Sequence, residues 1–142
     1  MKLTLIGYGK MGHMIASIAQ KRGHEIAATI DPSASDASIK IASGNSQAAA
    51  SAVKISNPDC IIDFSHPSAI VDNIKAVLPL GIPLIVGTTG WNDKKAEIEK
   101  LAASCGGTIM TSANFSIGVN MFYKIVEEAV KIMNTYPEYD IA

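Results

Sequence analysis

The stretch KLTLIGYGKMG, residues 2–12, decides the fold. Leu3 to Ile6 form a short apolar run that reads as a buried strand. It meets Gly7, Gly9 and Gly12, after which apolar residues recur at Met11, Met14, Ile15, Ile18 and Ala19. That spacing predicts one face of an amphipathic helix, stopped by Gly23. The glycines fit G-x-G-x-x-G between a strand and a helix, the context in which the pattern carries meaning. There Gly7 permits the tight turn, Gly9 lets backbone approach a pyrophosphate, and Gly12 lets the helix pack close on the strand. The helix start adds free N–H groups and a partial positive charge. Without a ligand, the same stretch is a bare strand-to-helix turn.

Working outward, apolar runs alternate with helical patterns. EIAATI (25–30) is a strand ending at Asp31-Pro32, a turn signal. Residues 32–57 are rich in Ser and Ala and predict a loop, a short strand near 39–41 and a short helix near 46–53. CIIDF (60–64) is a strand, and a helix over 67–79 presents Ile70, Val71, Ile74, Val77 and Leu78. PLIVGT (83–88) is a strand, followed by a helix over 93–104 with Ala96, Ile98, Leu101 and Ala102 on one face. TIMTSA (108–113) is the last strand. A final helix over 117–134 carries Phe122, Ile125, Val126, Ala129, Val130 and Met133, with Ser116 as N-cap and Pro137 as a bar to continuation.

Alternation of this kind, with near-continuous apolar strands, predicts an α/β fold: a doubly wound (Rossmann) parallel sheet with helices on both faces. Ligands of such sheets sit at the carboxyl ends of the strands. Segments 7–12, 31, 63–66, 87–90 and 113–116 all fall there.

Composition narrows the function. Lys+Arg number 12 against Asp+Glu 13, a formal net charge of −1, and Arg22 is the lone arginine. No electrostatic case exists for nucleic acid or for an anionic membrane surface. Cys60 and Cys105 make no disulfide framework and have no metal-ligand spacing, so we expect no metal and two reduced thiols in a cytoplasmic protein. The opening apolar run is too short for a signal peptide, and no window approaches a membrane span.

Four segments carry candidate chemistry. Asp31 lies 19 residues after Gly12, where an acid commonly binds the adenosine ribose hydroxyls; the alternative is a turn-starting Asp before Pro32. A carboxylate there repels a 2′-phosphate and leans the choice toward NADH, while Lys10 keeps NADPH open. In DFSHP (63–67), Asp63 can accept backbone N–H bonds, and Ser65 or His66 can cap the next helix ahead of Pro67. His66 as an acid or base is the weaker reading. GTTG (87–90) is either a flexible loop or a backbone and hydroxyl cradle for a carboxamide or carboxylate. In SANFSIGVN (112–120), Phe115 is either a hydrophobic staple or a wall of a nicotinamide pocket.

Together IGYGKMG, IDFSHP, VGTTGW and ANFSIGVN, in that order, resemble the dihydrodipicolinate reductase family over nearly the whole chain, least at 32–57. The resemblance implies nicotinamide-dependent reduction of a cyclic dicarboxylate in the diaminopimelate route to lysine, in the cytoplasm, by a protein that assembles as a homo-oligomer. It also implies roles. Gly7, Tyr8, Gly9, Lys10 and Met11 would line the pyrophosphate, and Asp31 would take the adenosine ribose. Phe64 would sit near the nicotinamide ribose. Gly87, Thr88 and Thr89 would bind the nicotinamide end, Thr89 also near substrate. Ser112, Ala113, Asn114 and Phe115 would complete the nicotinamide wall.

The family pattern continues with a substrate domain that opens on a His pair, a Lys and an Asp-Ala-Pro-Ser-Gly-Thr segment. His13, His24 and His66 do not match it, so no catalytic acid is expected within these residues. Residues 1–134 would then be the dinucleotide-binding domain, and 135–142 a linker or the first strand of the substrate domain. We expect a truncated chain with little turnover of its own, a natural short form being the alternative. Rival functions are a 3-hydroxyacid dehydrogenase-like reductase, whose glycine motif also carries a Met before its last Gly, and a non-catalytic NAD(P)-binding module.

Overall fold

The computed structural model describes residues 1–136, Glu138 and Tyr139. The expected stop at Pro137, and half of the linker or strand expected over 135–142, lie outside the described residues. The chain divides into two compact units, Met1–Thr111 and Ser112–Ala142.

The first unit is built on five parallel strands: β1 (Lys2–Ile6), β2 (Glu25–Ile30), β3 (Cys60–Asp63), β4 (Leu84–Val86) and β5 (Ile109–Thr111), side by side as β2-β1-β3-β4-β5. The short strand expected near 39–41 is a single parallel bridge, Ile30 to Ile39, at the outer edge of β2. Counted as a strand, it would complete the dinucleotide-binding order, in which the third strand flanks the second and the fourth returns beside the first. Ile39 N–H donates to the Thr29 carbonyl at 3.0 Å and Asp31 N–H to the Ile39 carbonyl at 3.2 Å. The side chains of Thr29 and Ser38 extend this short ladder: Ser38 N–H donates to the Thr29 hydroxyl at 2.8 Å, and Thr29 N–H donates to the Ser38 hydroxyl at 2.8 Å.

Four helices accompany the sheet: α1 (Lys10–Lys21), α2 (Ser46–Ser56), α3 (Ile70–Val77) and α4 (Lys95–Cys105). A 3₁₀ turn extends α3 through Leu78–Leu80, and another, Asn92–Lys94, precedes α4. Alternate strand residues point to opposite faces. One face (Ile6, Ile30, Ile61, Leu84, Val86) packs on Val53 of α2, Ile70, Ile74 and Val77 of α3 and Ile98 of α4. The other face sets Leu3 and Cys60 against Ala19 of α1. Helices therefore cover both faces, as the alternation predicts.

One face assignment is corrected. Met11, Met14 and Ile18 do not point into the core; each is 45–48% exposed. The buried stripe of α1 is Gly12, Ala16 and Ala19. Those residues share a face at i, i+4 and i+7, and being small they let the helix axis approach the sheet. The larger side chains are turned to the flanks. Helix α2 is capped by Asn45, whose side-chain Oδ1 accepts the Ala48 N–H at 3.1 Å.

Among its described residues, the second unit holds one helix, α5 (Ile117–Met133), with turns on either side. The Ser116 hydroxyl accepts the Val119 N–H at 3.4 Å, the N-cap read from the sequence. No residue of α5 is buried, and Phe122 and Ile125 are more than 60% exposed. Among the described residues, no helix is long and apolar enough to cross a membrane.

Ile74 sits at the centre of the larger core, fully inaccessible. Ile74→Ala removes three buried carbons and leaves a void beside Ile61 and Val77. We expect a loss of about 2–5 kcal/mol, read as a lower midpoint in urea unfolding.

Candidate functional site

The site begins where β1 turns into α1. Gly7 holds φ +88°, and its N–H donates to the Ile30 carbonyl at 2.9 Å, which continues the sheet past the strand end. A Cβ on Gly7 would overlap the Phe64 carbonyl group and come within 2.7 Å of the Ser65 nitrogen. A Cβ on Gly12 would strike the Gly7 carbonyl oxygen. Both glycines are thus required by close backbone approach. Gly9 differs: open space surrounds its Cβ position, and it stands at the N-cap of α1 with no side chain closing the helix start. The first-turn N–H groups are left to whatever enters from outside. This open, uncapped amide turn suits an anion such as a pyrophosphate.

Asp31, at the end of β2, is spent largely on backbone. Its Oδ2 accepts the Tyr8 N–H at 2.8 Å, and its Oδ1 accepts the N–H groups of Ser33 and Ala34 at 2.8 Å each. Partial burial pushes the carboxyl pKa up, but the three N–H donors outweigh it and hold the group below its ordinary value. One acceptor position on Oδ2 remains, enough for a single hydroxyl donor. The carboxylate therefore ties the glycine loop to the loop after β2 and keeps some capacity for a ligand.

His13, which the sequence left without a role, joins the same two loops. Its Nδ1 lies 2.8 Å from the Gly9 carbonyl and its Nε2 lies 2.8 Å from Asp36 Oδ2. The Tyr8 ring stacks on it with centroids 4.1 Å apart. The Gly9 carbonyl first, then the Asp36 carboxylate, raise the His13 pKa, and His13 in turn lowers that of Asp36.

At the end of β3, Asp63 is only 1% exposed. Its Oδ1 accepts the Ser65 N–H at 2.8 Å and the Thr88 hydroxyl at 3.3 Å, while Oδ2 accepts Asn73 Nδ2 at 3.1 Å. Burial raises its pKa despite these donors. One carboxyl thus joins β3, α3 and the loop after β4. Thr88 is buried with its hydroxyl committed to Asp63, and its carbonyl accepts the indole N–H of buried Trp91 at 2.8 Å. Of the GTTG pair, Thr89 is the exposed one. The Phe64 ring lies over Gly87, where a Cβ would collide with it. His66 Nδ1 accepts the Ser68 N–H at 3.2 Å and contacts its hydroxyl at 2.9 Å. It therefore shapes the turn into α3, with its other nitrogen exposed.

A cleft of about 560 Å³ opens at the carboxyl ends of β1, β2 and β3; Tyr8, Gly87, Thr88 and Thr89 lie outside its lining. Gly7, Gly9, Asp31 and Phe64 line it, as the sequence predicts of that group. The segment Ile41–Asn45 also lines it, and the sequence offered no sign of this. The only local signal there is the Gly44-Asn45 turn and helix cap, which marks structure and not a ligand. Lys10 and Met11 lie exposed on the first turn of α1, outside the lining. Ser112, Ala113, Asn114 and Phe115 belong to the second unit, in which Ser112 and Asn114 make local hydrogen bonds. Ser112 Oγ donates to the Asn114 carbonyl at 2.9 Å, and Asn114 Oδ1 accepts the Ser116 N–H at 2.8 Å. The N4 residue of α5 is Asn120, a polar side chain, whereas a hydrophobic staple uses an apolar one there.

Residues 1–115 match the family described as dihydrodipicolinate reductase, N-terminus. A 4-hydroxy-tetrahydrodipicolinate reductase of Cupriavidus necator is 33% identical over 94% of this chain and 52% of its own length. One from Christiangramia forsetii is 29% identical over 99% of this chain and 53% of its own length. The chain thus spans about half the length of the curated relatives it matches. Among solved structures, a hyperthermophilic archaeal homoserine dehydrogenase in complex with NADPH superposes over 78% of this chain and 43% of its own, with TM-score 0.59 and 15% identity. That likeness shows a shared fold.

Asp31→Asn tests the loop anchor. An amide oxygen cannot accept all three N–H bonds, so we expect a loss of about 1–3 kcal/mol at neutral pH. Because the folded-state pKa of Asp31 lies below the ordinary 3.8, its contribution is full above that value and fades as pH falls through the lowered pKa. Urea midpoints of the two proteins should therefore converge in acid. A constant gap down to strongly acid pH contradicts the assignment.

Proposed function

The chain belongs to the dihydrodipicolinate reductase family, and we propose that it is the part of such a reductase that holds the nicotinamide nucleotide. The observation that carries this reading is the uncapped α1 start beside Gly9, opening on the cleft at the ends of β1 to β3. Gly7 to Met11 line the pyrophosphate, which meets the backbone N–H groups from Gly9 onward, since those of Gly7 and Tyr8 are held by the Ile30 carbonyl and Asp31. Asp31 takes one ribose hydroxyl of the adenosine on its remaining acceptor position. Phe64 packs at the nicotinamide ribose, and Gly87, Thr88 and Thr89 meet the nicotinamide. Thr88 acts there through its backbone, since its hydroxyl is turned to Asp63, and Thr89 also faces substrate. Ser112, Ala113, Asn114 and Phe115 join the proposal on the strength of the sequence pattern, over a dinucleotide-binding region spanning residues 1–134.

When bound, a reduced nicotinamide supplies hydride from its C4. The substrate proposed for the whole protein is an unsaturated cyclic dicarboxylate of the dihydrodipicolinate type, on the route to diaminopimelate and lysine. This chain's residues orient the cofactor, and Phe64 excludes water from one side of it. Two free thiols, Cys60 and Cys105, fit a cytoplasmic setting.

We assign NADH as the preferred cofactor. Asp31 stays ionised, and Asp36 adds a second carboxylate on the loop after β2. A 2′-phosphate would bring up to two further negative charges to that side. Calorimetric titration with NADH, NADPH and ADP-ribose tests this: NADH should bind about tenfold tighter than NADPH, a difference of about 1.4 kcal/mol. Equal or tighter NADPH binding overturns the preference, and no detectable affinity for any of the three overturns the nucleotide site.

Mixed with NADH and the cyclic substrate, this chain alone should give no sustained NADH oxidation, because the His and Lys that the family pattern supplies as proton donor and substrate-carboxylate partners are not matched among its residues. Robust turnover would show that its own side chains supply the acid.

A further inference from the structure

We propose that His13 is a positioning residue of the nucleotide cleft: as an imidazolium it clasps the glycine loop to the loop after β2 and so holds the outer wall of the cleft in place. The proposal rests on reading the cleft as a dinucleotide site. The argument is one of donors and acceptors. Nδ1 faces the Gly9 carbonyl and Nε2 faces Asp36 Oδ2, each at 2.8 Å. Both partners accept only, so both ring nitrogens must donate, and only the protonated ring has two N–H groups. The Tyr8 ring, stacked at 4.1 Å and 27°, offers its face to that cation.

The clasp matters because of what it spans. Asp31 already fixes the near end of the loop to Tyr8, and Asp36 lies at its far end. Pro32, Ser33 and Ala34, held between these two points, line the cleft. The charged or titratable groups facing His13 are Asp36 and Asp31 from this loop and Tyr8 from the glycine loop. Both carboxylates favour the imidazolium, as does the Gly9 carbonyl, in keeping with a pKa raised above 6.5. Loss of the proton leaves the ring one N–H for two acceptors, and one end of the clasp opens. Because the pKa is raised, the clasp is complete below the ordinary value and is lost as pH rises through the raised one.

The test uses the whole chain and NADH, whose charge does not change over the range. The pair is exposed, so the effect is modest: the Kd for NADH should rise about two- to fivefold from about pH 6 to about pH 8.5. His13→Gln should bind at the weaker level throughout, with a flat profile. A His13→Gln profile that parallels the wild type overturns the proposal. NMR titration of the His13 ring gives a second arm that needs no nucleotide. Its midpoint should fall in Asp36→Asn, and an unchanged midpoint overturns the clasp. If NADH binds at no pH, the cleft's proposed function fails, and the ring titration still decides whether the clasp exists.

Discussion

Everything at the carboxyl end of the sheet depends on how closely the Gly7 backbone meets that of Phe64 and Ser65. No side-chain carbon fits between them. The contact sets the height at which β1 leaves the sheet, and Gly12 then seats α1 on the Gly7 carbonyl. From there the chain of close approaches runs sideways, since the Phe64 ring occupies the space a Cβ on Gly87 would need. Two glycines at strand ends and one on α1 therefore bring β1, β3 and β4 into one floor. The open amides of the α1 start are aimed over that floor because the helix has no freedom to sit elsewhere. The recognition surface follows from steric necessity, and the polar groups are arranged around it.

Two carboxylates divide the polar work, and their environments differ in kind. Asp31 is partly exposed, is met by three backbone N–H groups and is stabilised as the anion. Asp63 is buried, meets one backbone N–H and two side-chain donors, and has its anion disfavoured. Such an interior carboxyl is weak evidence of added stability, because desolvation offsets most of what its hydrogen bonds contribute. Its value is geometric. It fixes Thr88, hence the GTTG turn, relative to α3, and Trp91 closes that turn from the other side through the Thr88 carbonyl.

The readable parts of the sequence were those where one residue type answers one constraint. Continuous apolar runs located β1 to β5 because a sheet covered on both faces buries most positions of its inner strands, although Met110 and Thr111 of the edge strand β5 are exposed. The glycine pattern located the turn because nothing larger fits it. Ser116 was found as a cap for the same reason of local chemistry. The α1 face was misread because periodicity weighs large apolar residues, whereas close helix–sheet packing selects small ones: Gly12, Ala16 and Ala19 are inside, and Met11, Met14 and Ile18 are not. Near Ile39, two backbone bonds and a side-chain exchange between Thr29 and Ser38 stand in for a full strand, and no alternation pattern announces such an exchange. His13 with Asp36, and the cleft wall at Ile41–Asn45, were invisible for a related reason. Each depends on a loop folding back across more than 20 positions, and no local rule encodes that.

The two sides of the cleft are consequently built to different tolerances. Toward β3 and β4, the floor is held by buried groups: Asp63, Thr88, Trp91 and the Phe64 ring on Gly87. A change there disturbs the core as well as the site. Toward β2, the wall is held by partly exposed polar bonds from Asp31, Ser38 and His13, each worth little alone and each replaceable without repacking. In the proposed dinucleotide, the reacting ring lies on the first side, and the adenosine, where NADH and NADPH differ, lies on the second. Hydride geometry would then be set by packing and cofactor choice by surface chemistry. The first resists substitution, and the second can be retuned by one or two residues of the loop after β2.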